Sequence, residues 1–338
     1  MKKVIALLLA MSMTVAAFTG CTAGQKASEE KKTETADKTS DKKEDGDKVY
    51  HIGIIQLVEH QALDAATEGF QKALKEKLGD KVEFDVQNAQ GEETNCATIA
   101  TKFVNSNVDL IMANGTPALL AAANMTTEIP ILGTSITDYA TALGATEFDG
   151  TSGINVSGTS DLAPLDGQAA MIQELFPDAK TVALFYCSAE ANSVYQINTI
   201  KGYLTEMGYE CKEYAFTDSN DIASVAQLAT ECDVMYIPTD NTAASYTETI
   251  ANVVLPAKVP AVVGEEGICK GCGVATLTIS YYDIGYKTGE MAYEILVNGA
   301  DVSTMPIQSA PKFTKKYNAA NAAELGLTIP EGYEAIEE

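Results

Sequence analysis

Seven polar segments hold the side chains that could do chemistry, and each follows a run of β-forming residues. Four lie in the first half: Gln56-Leu57-Val58-Glu59-His60, Asn114-Gly115-Thr116-Pro117, Thr134-Ser135-Ile136-Thr137-Asp138 and Ser157-Gly158-Thr159-Ser160-Asp161. Three follow: Ser188-Ala189-Glu190-Ala191-Asn192-Ser193, Thr239-Asp240-Asn241-Thr242 and Glu265-Glu266-Gly267. In open α/β sheets ligands lie in the crevice beyond the carboxyl ends of the strands, which makes these segments the candidate site. Hydroxyls and amides dominate, with a few acids. That composition suits a small dipolar molecule better than a phosphate or a sugar.

The chain has no arginine, so all its strong cations are lysines. A ligand carboxylate therefore cannot meet a bidentate guanidinium fork. It would need hydroxyls and backbone N–H groups at helix N-termini, where the helix dipole also favours an anion. Thr116 before Pro117 fits that role, with threonine as cap and proline at the first helical position. Ser135 and Thr137 add donors. A ligand ammonium would need an acid, and Asp240 heads the corresponding segment of the second half. The plain alternative for Thr116 and Asp240 is N-capping alone. Enzyme motifs are missing: there is no G-x-S-x-G, no H-E-x-x-H and no phosphate-binding glycine loop. Cys187 and Ser188 with a distant His60 specify no nucleophile.

Elements that could position these side chains alternate regularly. Strand-like runs are expected at 51–57, 82–88, 108–113, 129–133 and 152–156, then at 181–186, 211–216, 234–238, 259–264 and 273–279. Helical patterns lie between them, at 63–78, 95–106, 117–126, 164–176, 193–207, 222–230 and 243–255, and 281–297 follows the last strand. Strand–helix alternation implies a mostly parallel sheet covered by helices, and two sets of five strands imply two such sheets. The halves also resemble each other: "VDLIMANGTPALLAAA" with "IPILG" parallels "CDVMYIPTDNTAASYT" with "VPAVVG". An offset of roughly 125–130 residues suits a duplicated Rossmann-like lobe. A chain that crosses back after the tenth strand and returns near Pro311 would join the lobes by three connections, which makes a hinge. The expected division is 49–157 plus 281–308 for the first lobe and 158–280 plus 309–333 for the second.

Residues 1–20 read as a secretory signal, with Lys2 and Lys3 before an apolar run too short to span a bilayer. The run ends in Phe18-Thr19-Gly20-Cys21, which resembles the lipobox of bacterial lipoproteins and implies a diacylglyceryl group on Cys21; a plain cleavage site is the alternative. Residues 21–48 contain no aromatic and no large aliphatic side chain, so they form a solvated tether with a reach on the order of 30 Å. The expected location is the outer face of a cell membrane, as on a Gram-positive surface, with the lipid anchor as the sole membrane contact. The formal net charge of −24 argues against nucleic acid and anionic lipid as partners. Cys96, Cys187, Cys211 and Cys232 read as buried small thiols. Cys269-Lys270-Gly271-Cys272 is a lone pair without the second pair or histidines that zinc would want, so a local disulfide or two free thiols are its expected states.

The stretches "IGIIQLVEHQALDAATEGF", "NGTPALLAA", "SITDYATA", "VSGTSDLAPL", "YCSAEANSVYQI", "PTDNTAAS" and "VVGEEG" together resemble the ABC transporter substrate-binding lipoproteins that include tryptophan- and tyrosine-binding members. The likeness spans residues 50–330. It implies an α/β type I periplasmic-binding-protein fold of two Rossmann-like lobes on a three-strand hinge. It also implies an aromatic amino acid or related compound as ligand and a permease and an ATPase as partners; a monomer with no cofactor and no metal is expected. "CKGC" and Ser280 depart from the family pattern. The ligand-binding set is then Gln56, Glu59, His60, Thr116, Ser135, Thr137, Asp138, Ser188, Asn192, Asp240, Asn241 and Glu265. Tyr139, Tyr186 and Tyr195 adjoin these segments and could stack on an aromatic ligand or simply pack. His60, Gln56 or Glu59 could bond a phenol, which favours tyrosine over tryptophan and phenylalanine. A surface adhesin is the rival reading, since a tethered lipoprotein displays its body whatever it binds.

Overall fold

A computed structural model describes residues 48–337 of the chain; the expected signal, Cys21 and nearly all of the tether lie outside the described residues. The first sheet contains β1 (Tyr50–Gln56), β2 (Val82–Asn88), β3 (Leu110–Asn114), β4 (Ile131–Ile136), β5 (Val156–Ser160) and β11 (Gln308–Ser309), in the order β11-β5-β4-β3-β1-β2. The second contains β6 (Thr181–Cys187), β7 (Glu210–Phe216), β8 (Val234–Ile237), β9 (Ala261–Val263), β10 (Ala275–Thr278), β12 (Thr314–Tyr317) and β13 (Glu334–Ala335), in the order β13-β12-β10-β9-β8-β6-β7. Without the late strands, both sheets have the same parallel order, second-first-third-fourth-fifth. The apolar runs follow from this: Ile52, Ile54 and Ile55 are all buried, as a parallel strand covered on both faces requires.

Helices α1 (Gln61–Leu78), α2 (Glu93–Asn105), α3 (Thr116–Met125) and α4 (Tyr139–Leu143) follow the first strands. Next come α5 (Leu165–Leu175), α6 (Ala191–Glu206), α7 (Ile222–Ala229), α8 (Asn241–Ser245), α9 (Thr247–Val254) and α10 (Glu266–Gly271), then α11 (Tyr281–Leu296) and α12 (Ala319–Glu324). The chain passes between the sheets three times. It leaves β5 for α5, which packs on β9 and β10; it leaves β10 for α11, which packs on α1, β4 and β5; and it leaves β11 for β12, which pairs antiparallel with β10. Ala62, Ala66, Ile279, Tyr281, Ile284 and Ala310 form a small separate core where two of these passages meet α1. There α1 and α11 approach to backbone contact: a Cβ on Gly285 would stand 2.0 Å from the Ala66 carbonyl oxygen, and one on Gly69 would stand 2.2 Å from that of Tyr282.

Several boundaries differ from the sequence reading. The fifth strand forms at Val156–Ser160, not 152–156, and β4 runs on through Thr134 and Ser135 to Ile136. The threonines can be strand because their hydroxyls pair internally: Thr159 Oγ1 lies 3.1 Å from Thr134 Oγ1 and 2.8 Å from Thr288 Oγ1. The helix expected at 243–255 is two helices, α8 and α9, parted at Tyr246 (φ −126°, ψ 30°). Short α4 and α10 were not foreseen, and α10 takes in Cys269. Cys269 and Cys272 are free buried thiols.

Candidate ligand-binding cleft

Three acids at strand ends turn inward to cap helices. Asp138 accepts from Thr141 N (2.7 Å) and caps α4; Asp240 accepts from Ala243 N (2.8 Å) and caps α8; Glu265 accepts from Gly267 N (2.7 Å) and Ile268 N and caps α10. Asp240 is almost fully buried, and its second oxygen takes Cys187 N at 2.7 Å. Asp240 thus serves as the cap that was the plain alternative for it, with a backbone donor on each oxygen. Gln56 is also occupied: Nε2 donates to Asp64 Oδ1 (2.6 Å) and Val58 O (3.0 Å), while Oε1 accepts from Thr67 Oγ1 (2.7 Å). Both amide hydrogens are thus committed, and the oxygen keeps one acceptor position. Ser188 is exposed and donates to Phe216 O at 3.1 Å within its own lobe. Glu59 is exposed beside His60. Tyr139 and Tyr186 are core residues, with hydroxyls donating to Thr159 O (3.1 Å) and Glu213 Oε2 (3.0 Å). Tyr195 remains half-buried near Asp138.

Two polar chains cross from lobe to lobe. In one, Gln196 Nε2 on α6 reaches Thr137 Oγ1 at 3.5 Å, and Thr137 donates to Asp161 Oδ1 at 3.2 Å; Tyr281 donates to Asp161 Oδ2 at 2.9 Å. Asp161 lies just after β5 in the first passage, and Tyr281 opens α11 after the second. In the other chain, His60 Nε2 lies 3.3 Å from Asn241 Oδ1, and Asn241 Nδ2 donates to Glu190 Oε2 at 2.7 Å. Glu190 also accepts from Asn241 N, Thr242 N, Thr242 Oγ1 and Asn192 Nδ2. Asp161, Gln196 and Tyr281 escaped the candidate set because they are scattered through a strand end and two helices. Glu190 and Asp161 were visible only as members of polar segments.

Against this dense bonding, a few buried polar atoms have no partner. They are Thr116 Oγ1 and Ser135 Oγ at neighbouring strand ends of the first lobe, Asn114 Oδ1 beside them, and Asn192 Oδ1 at the start of α6 in the second lobe; Thr276 Oγ1 on β10 is similar but isolated. An unpaired buried hydroxyl or amide costs about 1–3 kcal/mol, so such atoms at strand ends and a helix start, where a ligand lies in open α/β sheets, call for a polar partner. Thr116 is the first residue of α3, with Gly115 at the cap and Pro117 second, so its hydroxyl is not spent on capping. Ser135 is held at φ +57°, a left-handed conformation that a non-glycine residue adopts only under constraint.

The electrostatics have one sign. Asp161, Glu190, Asp240 and Glu265 are buried, and no lysine among the described residues is. Burial raises Asp161 to about 6 and Glu265 to about 7; Asp240 rises to about 7 through burial and then the Glu190 charge. Burial also lowers His60 below its ordinary value. A cavity of about 730 Å³ opens between Leu57, Val58 and Pro117 on one side and Cys187, Glu190 and Tyr246 on the other.

Comparison with known proteins decides the family. The ABC transporter substrate binding protein family matches residues 51–335. The chain belongs to that family. This substrate-binding protein is 37% identical over 312 residues to the tyrosine-binding protein of Clostridioides difficile strain R20291, covering 90% of this chain and 87% of the relative. Among solved structures it resembles an ABC domain from Streptococcus pneumonia in complex with L-Trp: 31% identity, 85% of this chain and 100% of that one, TM-score 0.81. It also resembles the ligand-free, open structure of a substrate-binding protein with adhesive properties from Clostridium difficile: 37% identity, 86% and 99% coverage, TM-score 0.67. Similarity in shape is thus greater to the Trp complex than to the more identical open form, in keeping with the cross-lobe bonds above. The fold is the type I periplasmic-binding-protein fold, and the substrate-binding protein is not an enzyme.

Proposed function

We propose that this protein captures an aromatic amino acid, tyrosine foremost, by lobe closure and delivers it to the permease and ATPase of an ABC importer. The observation that carries the reading is the set of unpartnered buried atoms at strand ends and a helix start, two hydroxyls of the first lobe and an amide oxygen of the second. Thr116 and Ser135 are donors for the carboxylate. Asn192 Oδ1 is an acceptor for the ammonium, and Asp161 supplies the negative charge, since its partners are hydroxyls that can turn rather than backbone N–H groups. The ring lies toward the cavity lined by Leu57, Val58, Pro117 and Tyr246. The choice of an aromatic ligand is supported by what the similar proteins are named for binding. We place the body on the outer face of the membrane, tethered through a lipidated Cys21. Calorimetric titration with the twenty amino acids tests the reading: heat with tyrosine, then tryptophan or phenylalanine, is expected, and no heat with any of the twenty refutes it. A second role in adhesion is favoured by the likeness to a protein with adhesive properties; host-cell binding that survives blocking of the cleft would establish it.

A further inference from the structure

The two chains that bridge the lobes differ in one respect. In the inner chain only Gln196–Thr137 joins lobe to lobe, at 3.5 Å, the outer limit of a hydrogen bond, while Thr137–Asp161 and Tyr281–Asp161 hold to the passages. The outer chain contains no passage residue: His60 opens α1 in the first lobe, and Asn241 and Glu190 belong to the second. It must break for the lobes to separate. We propose that His60, Asn241 and Glu190 form a release gate, a bond between the lobes that sets how long a solute stays. The proposal rests on the cleft being a solute site.

The geometry specifies the gate. Asn241 is anchored by its backbone N–H (3.0 Å) and its side-chain Nδ2 (2.7 Å), both donating to Glu190 Oε2. With its amino group committed, the amide must turn its oxygen to the other lobe. Oδ1 can only accept, so His60 Nε2 is the donor at 3.3 Å. His60 is free to serve because it makes no side-chain capping bond at the head of α1. Glu190 also receives Asn192 Nδ2 at 3.0 Å, so the carboxylate that aims the gate also orients the residue whose oxygen lacks a partner. A contact present only in the closed form slows dissociation and leaves association almost unchanged.

The test uses the mature chain with His60→Ala and His60→Gln, the second retaining an N–H donor, and with Glu190→Gln. L-tyrosine and L-tryptophan are the probes; the chain has no tryptophan, so the indole signal comes from ligand alone. His60→Ala should speed dissociation about five- to tenfold, the worth of one hydrogen bond, with association within about twofold. His60→Gln should restore most of the wild-type rate, and Glu190→Gln combined with His60→Ala should be less than additive. Small-angle scattering of the unliganded proteins should show a larger radius for His60→Ala. Unchanged dissociation of either probe from His60→Ala overturns the gate. If wild type binds neither probe, the functional reading falls, and the scattering still decides the gate: equal radii overturn it.

Discussion

Ser135 joins three properties at one residue: a left-handed backbone, a buried hydroxyl without a partner, and a place at the end of β4. A hydroxyl kept for structure would be bonded; one kept for a ligand is costly until the ligand arrives. Ser135→Ala and Thr116→Ala should therefore leave the unliganded melting temperature unchanged or raise it, while each weakens amino acid binding about tenfold. Paired thermal melts with and without ligand check both signs. The buried acids lead to a second expectation. Asp161 (about 6), Asp240 and Glu265 (about 7) all stand above their ordinary values because of burial. The native state thus holds protons that the unfolded chain gives up, and the associated stability is present below about pH 4 and lost as pH rises through about 6 to 7. Urea midpoints of the unliganded protein should fall between about pH 5 and about pH 8, and Asp161→Asn should flatten part of that slope.

At the scale of elements, the packing of α1 on α11 is the least forgiving contact described. Gly285→Ala would drive a methyl into the Ala66 carbonyl, with backbone rather than a flexible side chain in the way. A loss of more than about 2 kcal/mol is expected from denaturant unfolding, and the damage should extend to ligand binding because α11 begins at Tyr281 in the hinge. The long elements were legible because their burial is regular, periodic along α1 and α11 and nearly continuous along β1 and β6, and all four lie within a residue or two of where the apolar pattern put them. The errors fall where polar residues are buried. Thr159 reads as loop until its hydroxyl partners Thr134 and Thr288 are known, and these are distant in sequence. The site was legible as segments but not as roles. Nothing local says that Asp240 spends both oxygens on backbone N–H groups, or that Gln56 is bound to Asp64 and Thr67. A pairing such as Tyr281 with Asp161 exists only once the hinge has formed.

For the whole molecule, the twin sheets and three passages leave one soft coordinate, the opening of the cleft. An amino acid that meets donors on the first lobe and an acceptor on the second should lower the radius of gyration on saturation, and scattering with and without tyrosine measures it. The order of the chain adds a constraint on synthesis. The first lobe is finished by α11 and β11, which follow all five parallel strands of the second sheet in the chain, so a ribosome must have made those strands before the first lobe can complete its core. Until then the early strands stay without their last edge and covering helix, so the half that is begun first is completed last.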